Sequence, residues 1–420
     1  MHIVLFSPIP FDDLHQRPQK LAGLFRDHGE RVLYVGPTGV REALGRGPAF
    51  FLRAALDALV LHLRALPQVL TGRPPAPPRI SRAAATEGPG LEVLGGPLGV
   101  AVHRTASSWL HALTVAAHRQ FLRRSILSRL PAGTPAVALV EDPLWGAVLE
   151  PGDFPAVFYD CLDDCASFAG RSPAALWHAW EERLVGLCAG AFATARVLEE
   201  RLRKVRPALA VERVPNGVDA DWFRRQAEHA PAGPNTPRAG RPVAGYVGVI
   251  GRWLDFGVIE AALDGCPEMD FVFVGPCSEP AALSHLQRRA NFRWAPRRAY
   301  DEIPGLVGGF DVCLIPFAPG DIARSTNPVK VFEYFALGKP VVTTPVLELE
   351  GYRDAGLLYW AEGAGAFVAA LHEAAAERDP ARRARRMEVA GANSWEARAG
   401  AMLAAMRAAP GVARGTGVAV

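Results

Sequence analysis

Lys330 and Glu333 stand three residues apart in the segment Asn327–Thr344, a spacing that puts an ammonium and a carboxylate on one helix face. The segment marks both ends of that helix. Ser325, Thr326 and Asn327 offer N-cap side chains, and Pro328 fits the first helical position. Gly338 fits the left-handed residue past the end, and Pro340 blocks continuation. Val331, Phe332, Phe335 and Ala336 form an apolar stripe. A helix N-terminus presents free N–H groups and a partial positive charge. A lysine in the first turn opposes that dipole, so its presence makes sense when an anion binds there. Glu333, one turn deeper, can accept hydrogen bonds from sugar hydroxyls. Together they describe a nucleotide-diphosphate site, with the diphosphate at the helix start and the ribose beside the carboxylate. The competing reading is a surface helix with an ordinary Lys–Glu pair. Two of the chain's four lysines, Lys330 and Lys339 rather than Lys20 and Lys204, fall in this one segment.

Three further sets of residues have chemistry in their types and spacing. Gly245, Gly248 and Gly251, followed by Arg252, sit at and beyond a strand end. Glycines there let backbone amides approach a diphosphate, and an arginine can pair with it; the alternative is a turn that needs glycine for its backbone. Asp160, Asp163 and Asp164 follow another strand. Ligands bind beyond the carboxyl ends of strands in open α/β sheets. A carboxylate whose pKa is raised by burial or by a like charge can act as a general base. Asp163 is the leading candidate, with Asp164 or Asp160 next, against the reading that all three are caps and turn residues. His15, Gln16 and Arg17 open the first helix and can contact a phosphate or a sugar. Asp219-Ala-Asp221 has Asp-x-Asp metal spacing but follows an Asn-Gly turn, a poor place for a metal, and no metal is assigned.

These residues need a scaffold, and the hydrophobic pattern supplies one. A strand at Ile3–Phe6, a helix from Pro18 to about His28 closed by Gly29, and a strand at Val32–Val35 form a βαβ start, which implies a parallel sheet. No Gly-x-Gly-x-x-Gly follows the first strand, so this is not an NAD site. Residues 48–66 read as an apolar helix, Pro67–Gly90 as a mobile loop and Thr105–Arg129 as a basic helix. Strands at Val137–Val140, Ala156–Tyr159 and Phe192–Thr194 continue the sheet. The expected divisions are a first α/β domain over 1–215 and a Pro/Gly-rich linker over 216–242. A second α/β domain covers 243–393, with strands at Val243–Val249, Phe271–Val274, Phe292–Trp294, Val312–Ile315 and Val341–Thr343. A capped helix over 394–410 and a disordered tail over 411–420 follow.

Half of the 420 residues are hydrophobic and 21% are charged, which excludes a disordered chain. No signal peptide and no apolar run long enough to span a bilayer is seen, so the expected location is the cytoplasm. Six cysteines without Cys-x-x-Cys spacing read as free thiols. Between Arg41 and Leu130 twelve arginines face four acids; this window of +8 inside a chain of +3 leaves −5 elsewhere. Such asymmetry suggests an anionic partner. Neither a zinc finger nor an RNP motif is present, so nucleic acid is not expected and anionic lipid is preferred. The apolar helix at 48–66, with seven arginines between Arg41 and Arg82, fits a peripheral position on a membrane surface.

The segment from Pro328 to Val342 resembles the donor-binding signature P-x-K-x-x-E-Y-x-A-x-G-K-P-V-V of bacterial group 1 (family 4-like) glycosyltransferases of GT-B fold. It is most similar to the exopolysaccharide and cell-surface glycan branch. Residues 15–19, 159–164, 215–219, 245–255, 271–276 and 310–317 also match, in the family's order. The resemblance implies α/β architecture with two facing doubly wound Rossmann-like domains and a C-terminal helix returning to the first. It implies transfer of a sugar from a nucleotide-diphosphate donor to a glycan or polyprenyl-diphosphate-linked acceptor. Gly248, Gly251, Arg252, Thr326, Asn327, Lys330 and Glu333 would hold the donor, and His15, Gln16 and Arg17 the acceptor. No cofactor is expected, because the fold relies on helix dipole and basic residues. Retaining relatives often carry a second glutamate eight residues before Glu333, where this chain has Ser325, so inversion is favoured and retention stays open. A nucleotide-sugar epimerase of the same fold and a non-catalytic nucleotide-sugar-binding protein are the alternatives. Uridine and guanosine donors are not distinguished.

Overall fold

A computed structural model describes residues 1–11, 16–38, 85–86, 89–98, 108–131, 133–168, 174–229 and 240–413. The chain divides into two units: Met1–Val214 together with Ala399–Val420, and Pro215–Arg398.

The first unit is built on β1 (His2–Phe6), β2 (Arg31–Thr38), β3 (Ala85–Thr86), β4 (Leu91–Leu98), β5 (Ala136–Val140), β6 (Ala156–Cys161), β7 (Gly190–Ala193) and β8 (Val211–Arg213). They form one sheet in the order β3-β4-β2-β1-β5-β6-β7-β8, parallel except for β3, which pairs antiparallel to β4. Burial on both faces explains why β1, β5 and β6 read as continuous apolar runs. Ile3 and Leu5 pack with Leu21 and Phe25 of the helix Arg17–Asp27 and with Met402, Leu403 and Met406 of the helix Trp395–Ala408. Val4 and Phe6 pack with Phe121, Trp145 and Leu184 on the other face. The C-terminal helix therefore does return to the first unit, where Arg407 also pairs with Glu30 at 2.9 Å. Strand order reverses between β1 and β5, which makes their carboxyl ends the switch point where such sheets bind ligands.

The second unit contains β9 (Val243–Val247), β10 (Asp270–Val274), β11 (Phe292–Ala295), β12 (Val312–Ile315), β13 (Val341–Thr343) and β14 (Tyr359–Trp360). Their order is β11-β10-β9-β12-β13-β14 and every pairing is parallel, so the switch point lies between β9 and β12.

Several boundaries differ from expectation. The supposed linker is partly a packed element: the helix Ala220–His229 belongs to the second unit and buries Phe223 completely. Its Pro/Gly-rich part, 230–239, lies outside the described residues. Strand β9 stops at Val247 rather than Val249, because Gly248 turns away at φ +149°. The basic helix is described from Ser108, its expected start at Thr105 lying outside the described residues, and it gives way after Phe121 to a π turn over Leu122–Ile126. In the expected disordered tail, Pro410–Ala413 is helical and Val412 is buried; the rest lies outside the described residues. So do the segment 48–66 expected at a membrane and the arginines from Arg41 to Arg82. Of the remaining arginines, Arg119 is buried against Glu150 and Asp153, so its charge is neutralised within the fold. No helix among the described residues is long and apolar enough to cross a membrane.

Candidate functional site

The helix at the centre of the second unit spans Val329–Ala336, one residue later than expected, with Pro328 as N-cap. No side chain caps it. Ser325 instead donates its hydroxyl to Asp321 O (2.7 Å), and Asn327 is engaged elsewhere, so the helix's first amides have no side-chain cap. Asn327 Oδ1 accepts from the Asn216 amide at 3.0 Å, and Asn216 Nδ2 donates to Asn327 O at 2.6 Å. The Pro-Asn-Gly turn at 215–217 thus fixes the residues that lead into the helix. Thr326 and Asn327 are both buried.

The far end of the helix closes as its sequence requires. Gly338 takes φ +68°, its amide reaches Phe335 O (2.9 Å), and the Lys339 amide reaches Tyr334 O (3.1 Å). This is a Schellman motif. Tyr334 accepts the Val247 amide on its phenol oxygen at 3.1 Å, tying the helix to the end of β9.

Lys330 lies over Gly248, where a methyl group would stand 2.4 Å from Lys330 Cε and 2.8 Å from Nζ. The ammonium also sits 5.5 Å from the centre of the Tyr246 ring. Lys339, the segment's second lysine, serves the fold: it donates to Gly308 O (2.7 Å) and Phe310 O (2.6 Å). Glu333 is only 7% exposed, which removes the reading of an ordinary surface ion pair. Its Oε1 accepts from the Tyr300 hydroxyl at 3.2 Å, and the Tyr300 ring stacks on Trp222 at 5.2 Å and 3°. Burial, followed by the Glu333 charge, pushes the Tyr300 phenol well above its usual range, so it donates.

The remaining expected residues separate. Arg252 is exposed on the loop after β9. Gly251 is needed for a packing reason, because a methyl there would meet the Trp253 ring at 2.5 Å. Asp255, whose role the sequence left open, caps the helix Phe256–Gly265 by accepting from the Val258 amide at 3.0 Å. Asp219 accepts from the Trp222 amide (2.9 Å) and Asp221 pairs with Arg224, so the Asp-x-Asp pair is engaged in local structure. Among the described residues, Cys266 and Glu268, just before β10, and His372 on the helix Ala364–Ala376 could hold a metal ion, but at the opposite strand ends from Lys330.

In the first unit, His15 lies outside the described residues. Gln16 is the exposed N-cap of Arg17–Asp27, its amide bonded to Gln19 Oε1 at 3.2 Å. Arg17 is buried, contrary to expectation: it forms two bonds to Asp160, Nε to Oδ2 at 2.9 Å and NH2 to Oδ1 at 2.8 Å, and a third to Val214 O at 2.9 Å. Asp160 is fully buried, so this fork takes it out of the set of candidate bases. Asp164 is engaged too. Its carboxylate accepts from Ser167 Oγ (2.6 Å) and Arg201 NH1 (2.8 Å). Burial acts to raise it, but the Ser167 hydrogen bond and Arg201 outweigh burial and hold it below the carboxylate range. Asp164 is therefore not raised as a neighbouring carboxylate would raise it, because Arg201 compensates its charge. Asp163 itself is partly exposed.

Two carboxylates that sequence reasoning missed occupy the same strand ends. Glu141 and Asp142 directly follow β5, as Asp163 and Asp164 follow β6, whose last residues include Asp160. The Glu141 amide donates to Phe6 O at 2.9 Å, so the residue sits at the β1–β5 switch point.

Residues 253–377 match the model of the family described as Glycosyl transferases group 1. The chain is 31% identical over 136 residues to a Bacillus subtilis (strain 168) protein, TuaH, named for a glycosyltransferase of teichuronic acid biosynthesis. That match spans 32% of this chain and 34% of the relative, about a third of its length. Among solved structures, WaaG, a glycosyltransferase involved in lipopolysaccharide biosynthesis, superposes with a TM-score of 0.60 at 14% identity, covering 98% of this chain and 100% of WaaG. A structure described as trehalose-6-phosphate from E. coli bound with UDP-2-fluoro glucose gives 0.68 at 11% identity over 97% and 99%. These likenesses identify the fold as GT-B.

Proposed function

We propose that the chain, whose residues 253–377 match the group 1 glycosyl transferase model, transfers a sugar from a nucleoside-diphosphate donor to a hydroxyl of a cell-surface glycan or its lipid-linked precursor. The observation that carries the reading is Lys330 laid over Gly248 at the start of a helix that no side chain caps. A helix start without a side-chain cap, its dipole and an ammonium converge where a diphosphate fits. Glu333, held by Tyr300, takes the ribose hydroxyls. As the bond to the donor breaks, the departing diphosphate gains charge, and Lys330 and the helix start stabilise it. The reading needs no metal. A UDP-sugar donor is favoured by the UDP-2-fluoro glucose named for the fold relative, and a surface-glycan acceptor by the names of TuaH and WaaG.

The test has two stages. A thermal-shift screen of UDP, GDP and their sugars should raise the melting temperature with one base and not the other. Radiolabelled sugar from that donor should then pass to an acceptor lipid extract. Epimerised donor without acceptor, or binding without turnover, would overturn the assignment.

A further inference from the structure

We propose that Cys266, Glu268 and His372 form a structural zinc site within the second unit, at the strand ends opposite Lys330 and independent of the transfer reading. The thiolate sulfur, one imidazole nitrogen and one carboxylate oxygen bind the ion, and a water completes the tetrahedron. The thiol proton leaves to solvent as the zinc–sulfur bond forms.

The spacing of the donor atoms carries the assignment. One ligand atom from each of the three residues lies within 4.8 Å of the other two. His372 Nε2 stands 3.6 Å from Cys266 Sγ. Zinc bonds of about 2.3 Å to sulfur and about 2.0–2.1 Å to nitrogen, meeting near the tetrahedral angle, put two such atoms about 3.6 Å apart. An ion can therefore enter between them without moving either backbone. Glu268 Oε1 lies 3.5 Å from Nδ1 of the same ring. Glu268 and His372 are both exposed, so a side-chain rotation brings the carboxylate onto the ion and water reaches the fourth position.

The fold builds this juxtaposition. Cys266 is the C-cap of the helix Phe256–Gly265, its amide bonded to Ala262 O at 3.0 Å. Its carbonyl accepts from the Met269 amide (3.1 Å) and from Asn291 Nδ2 (3.3 Å), which fixes the turn carrying Cys266 and Glu268 into β10. His372 comes from the helix Ala364–Ala376, which packs on Phe256–Gly265. Gly265 permits the close approach: a methyl there would meet Val368 Cγ2 at 2.9 Å, and Val368 lies one turn before His372 on the same helix face.

The donor set selects the metal. Magnesium and calcium take oxygen ligands, whereas a thiolate beside an imidazole suits zinc. Burial, then the Glu268 charge, pushes the Cys266 thiol up to about 11, so the ion has to displace a proton. Once bound, it ties the turn before β10 to a helix residue 106 positions further along the chain. The competing account is a thiol–imidazole hydrogen bond beside a surface His–Glu pair, which holds no metal.

The full chain, reduced and stripped of metal, is titrated with zinc against a chromophoric chelator and with cobalt as a spectroscopic probe. The wild type should show a thiolate-to-cobalt charge-transfer band in the near ultraviolet. Cys266→Ser should abolish that band. Cys266→Ser and His372→Ala should each weaken zinc by more than about 10–100-fold, the loss that follows from disturbing a ligand's outer partner alone. Glu268→Gln should weaken zinc and keep the band, and Cys277→Ser, at a partly exposed cysteine of the same unit, should change neither. Cys266 is fully buried; should Cys266→Ser melt early, the exposed His372→Ala decides, because zinc should raise the melting temperature of the wild type and not of that variant. No cobalt band in the wild type, a band that survives Cys266→Ser or vanishes with Cys277→Ser, or wild-type zinc affinity in His372→Ala or Glu268→Gln would overturn the site. Absence of sugar transfer would overturn the earlier reading and leave this one standing.

Discussion

Lys330 and Gly248 occupy each other's space: the ammonium of one lies where the side chain of the other would be. A lysine in the first turn of a helix is repelled by the dipole, and here the glycine leaves room for it to remain. Gly248→Ala should therefore displace Lys330 without touching the ligand directly, and its φ of +149° adds backbone strain. The expected result is nucleotide affinity weakened about as much as by removing the lysine. Calorimetry with the nucleoside diphosphate checks it; wild-type affinity in Gly248→Ala would show that Lys330 acts from another position.

Removing the charged groups themselves should separate two contributions. Lys330→Ala should cost about 1.5–3 kcal/mol of nucleotide binding, the range for a charge-assisted hydrogen bond. Glu333→Gln should weaken the nucleoside diphosphate but leave inorganic pyrophosphate unaffected, because the carboxylate is assigned to the ribose. Competition binding with both ligands reads the difference directly.

Arg17 and Asp160 are a folding element rather than a ligand contact. Breaking a buried pair by deleting one partner costs about 3–5 kcal/mol, since the other charge is left uncompensated. Asp160→Asn is expected to lower the unfolding free energy, read from urea melts, by an amount in that range. A neutral effect on stability, together with lost turnover, would return Asp160 to the catalytic set.

Glu141 gives a pH-dependent stability of predictable sign. Burial, then the Asp160 charge, raises its carboxyl well above the usual value, with Ser7 and Arg17 opposing. A carboxyl raised in the folded state holds its proton there, so its favourable contribution is full below the unfolded pKa of about 4.3. It is lost as pH rises from there through the folded value. Glu141→Gln removes that titration. The variant's stability relative to wild type should therefore grow as pH increases above about 4.3, by about 1.4 kcal/mol for each pKa unit of the shift. Urea melts at several pH values measure it; a difference that stays flat with pH would show that Glu141 is not raised.

Both sheets were legible because parallel strands buried on two faces leave runs such as Val-Phe-Val and Ala-Val-Ala-Leu-Val, and helix ends leave caps. Gly338 was readable for the same reason: a left-handed residue admits few side chains. What sequence alone does not reveal is which partner a polar side chain chooses. Asp160, Asp163 and Asp164 look equivalent in a row of letters, yet Arg17 and Arg201, distant in the chain, claim two of them. Sequence left Glu333 open between a sugar-hydroxyl acceptor and a surface ion pair, and its burial with the Tyr300 hydroxyl against it removes the second. Asp142 was accessible to the rule applied to Asp163, a carboxylate just past a strand, and escaped notice because nothing around it forms a repeating pattern.

The helix Val329–Ala336 is held at its entry by Asn216, along its side by the Val247 amide, and at its exit by the Schellman turn against Arg383. A segment restrained at three places has little freedom left to lose when an anion arrives. Capture at its N-terminus should then resemble the docking of a key rather than the tightening of a loop. The enthalpy of nucleotide binding should reflect contacts alone, and the amides of residues 331–336 should be as protected from hydrogen exchange in the empty protein as in the liganded one.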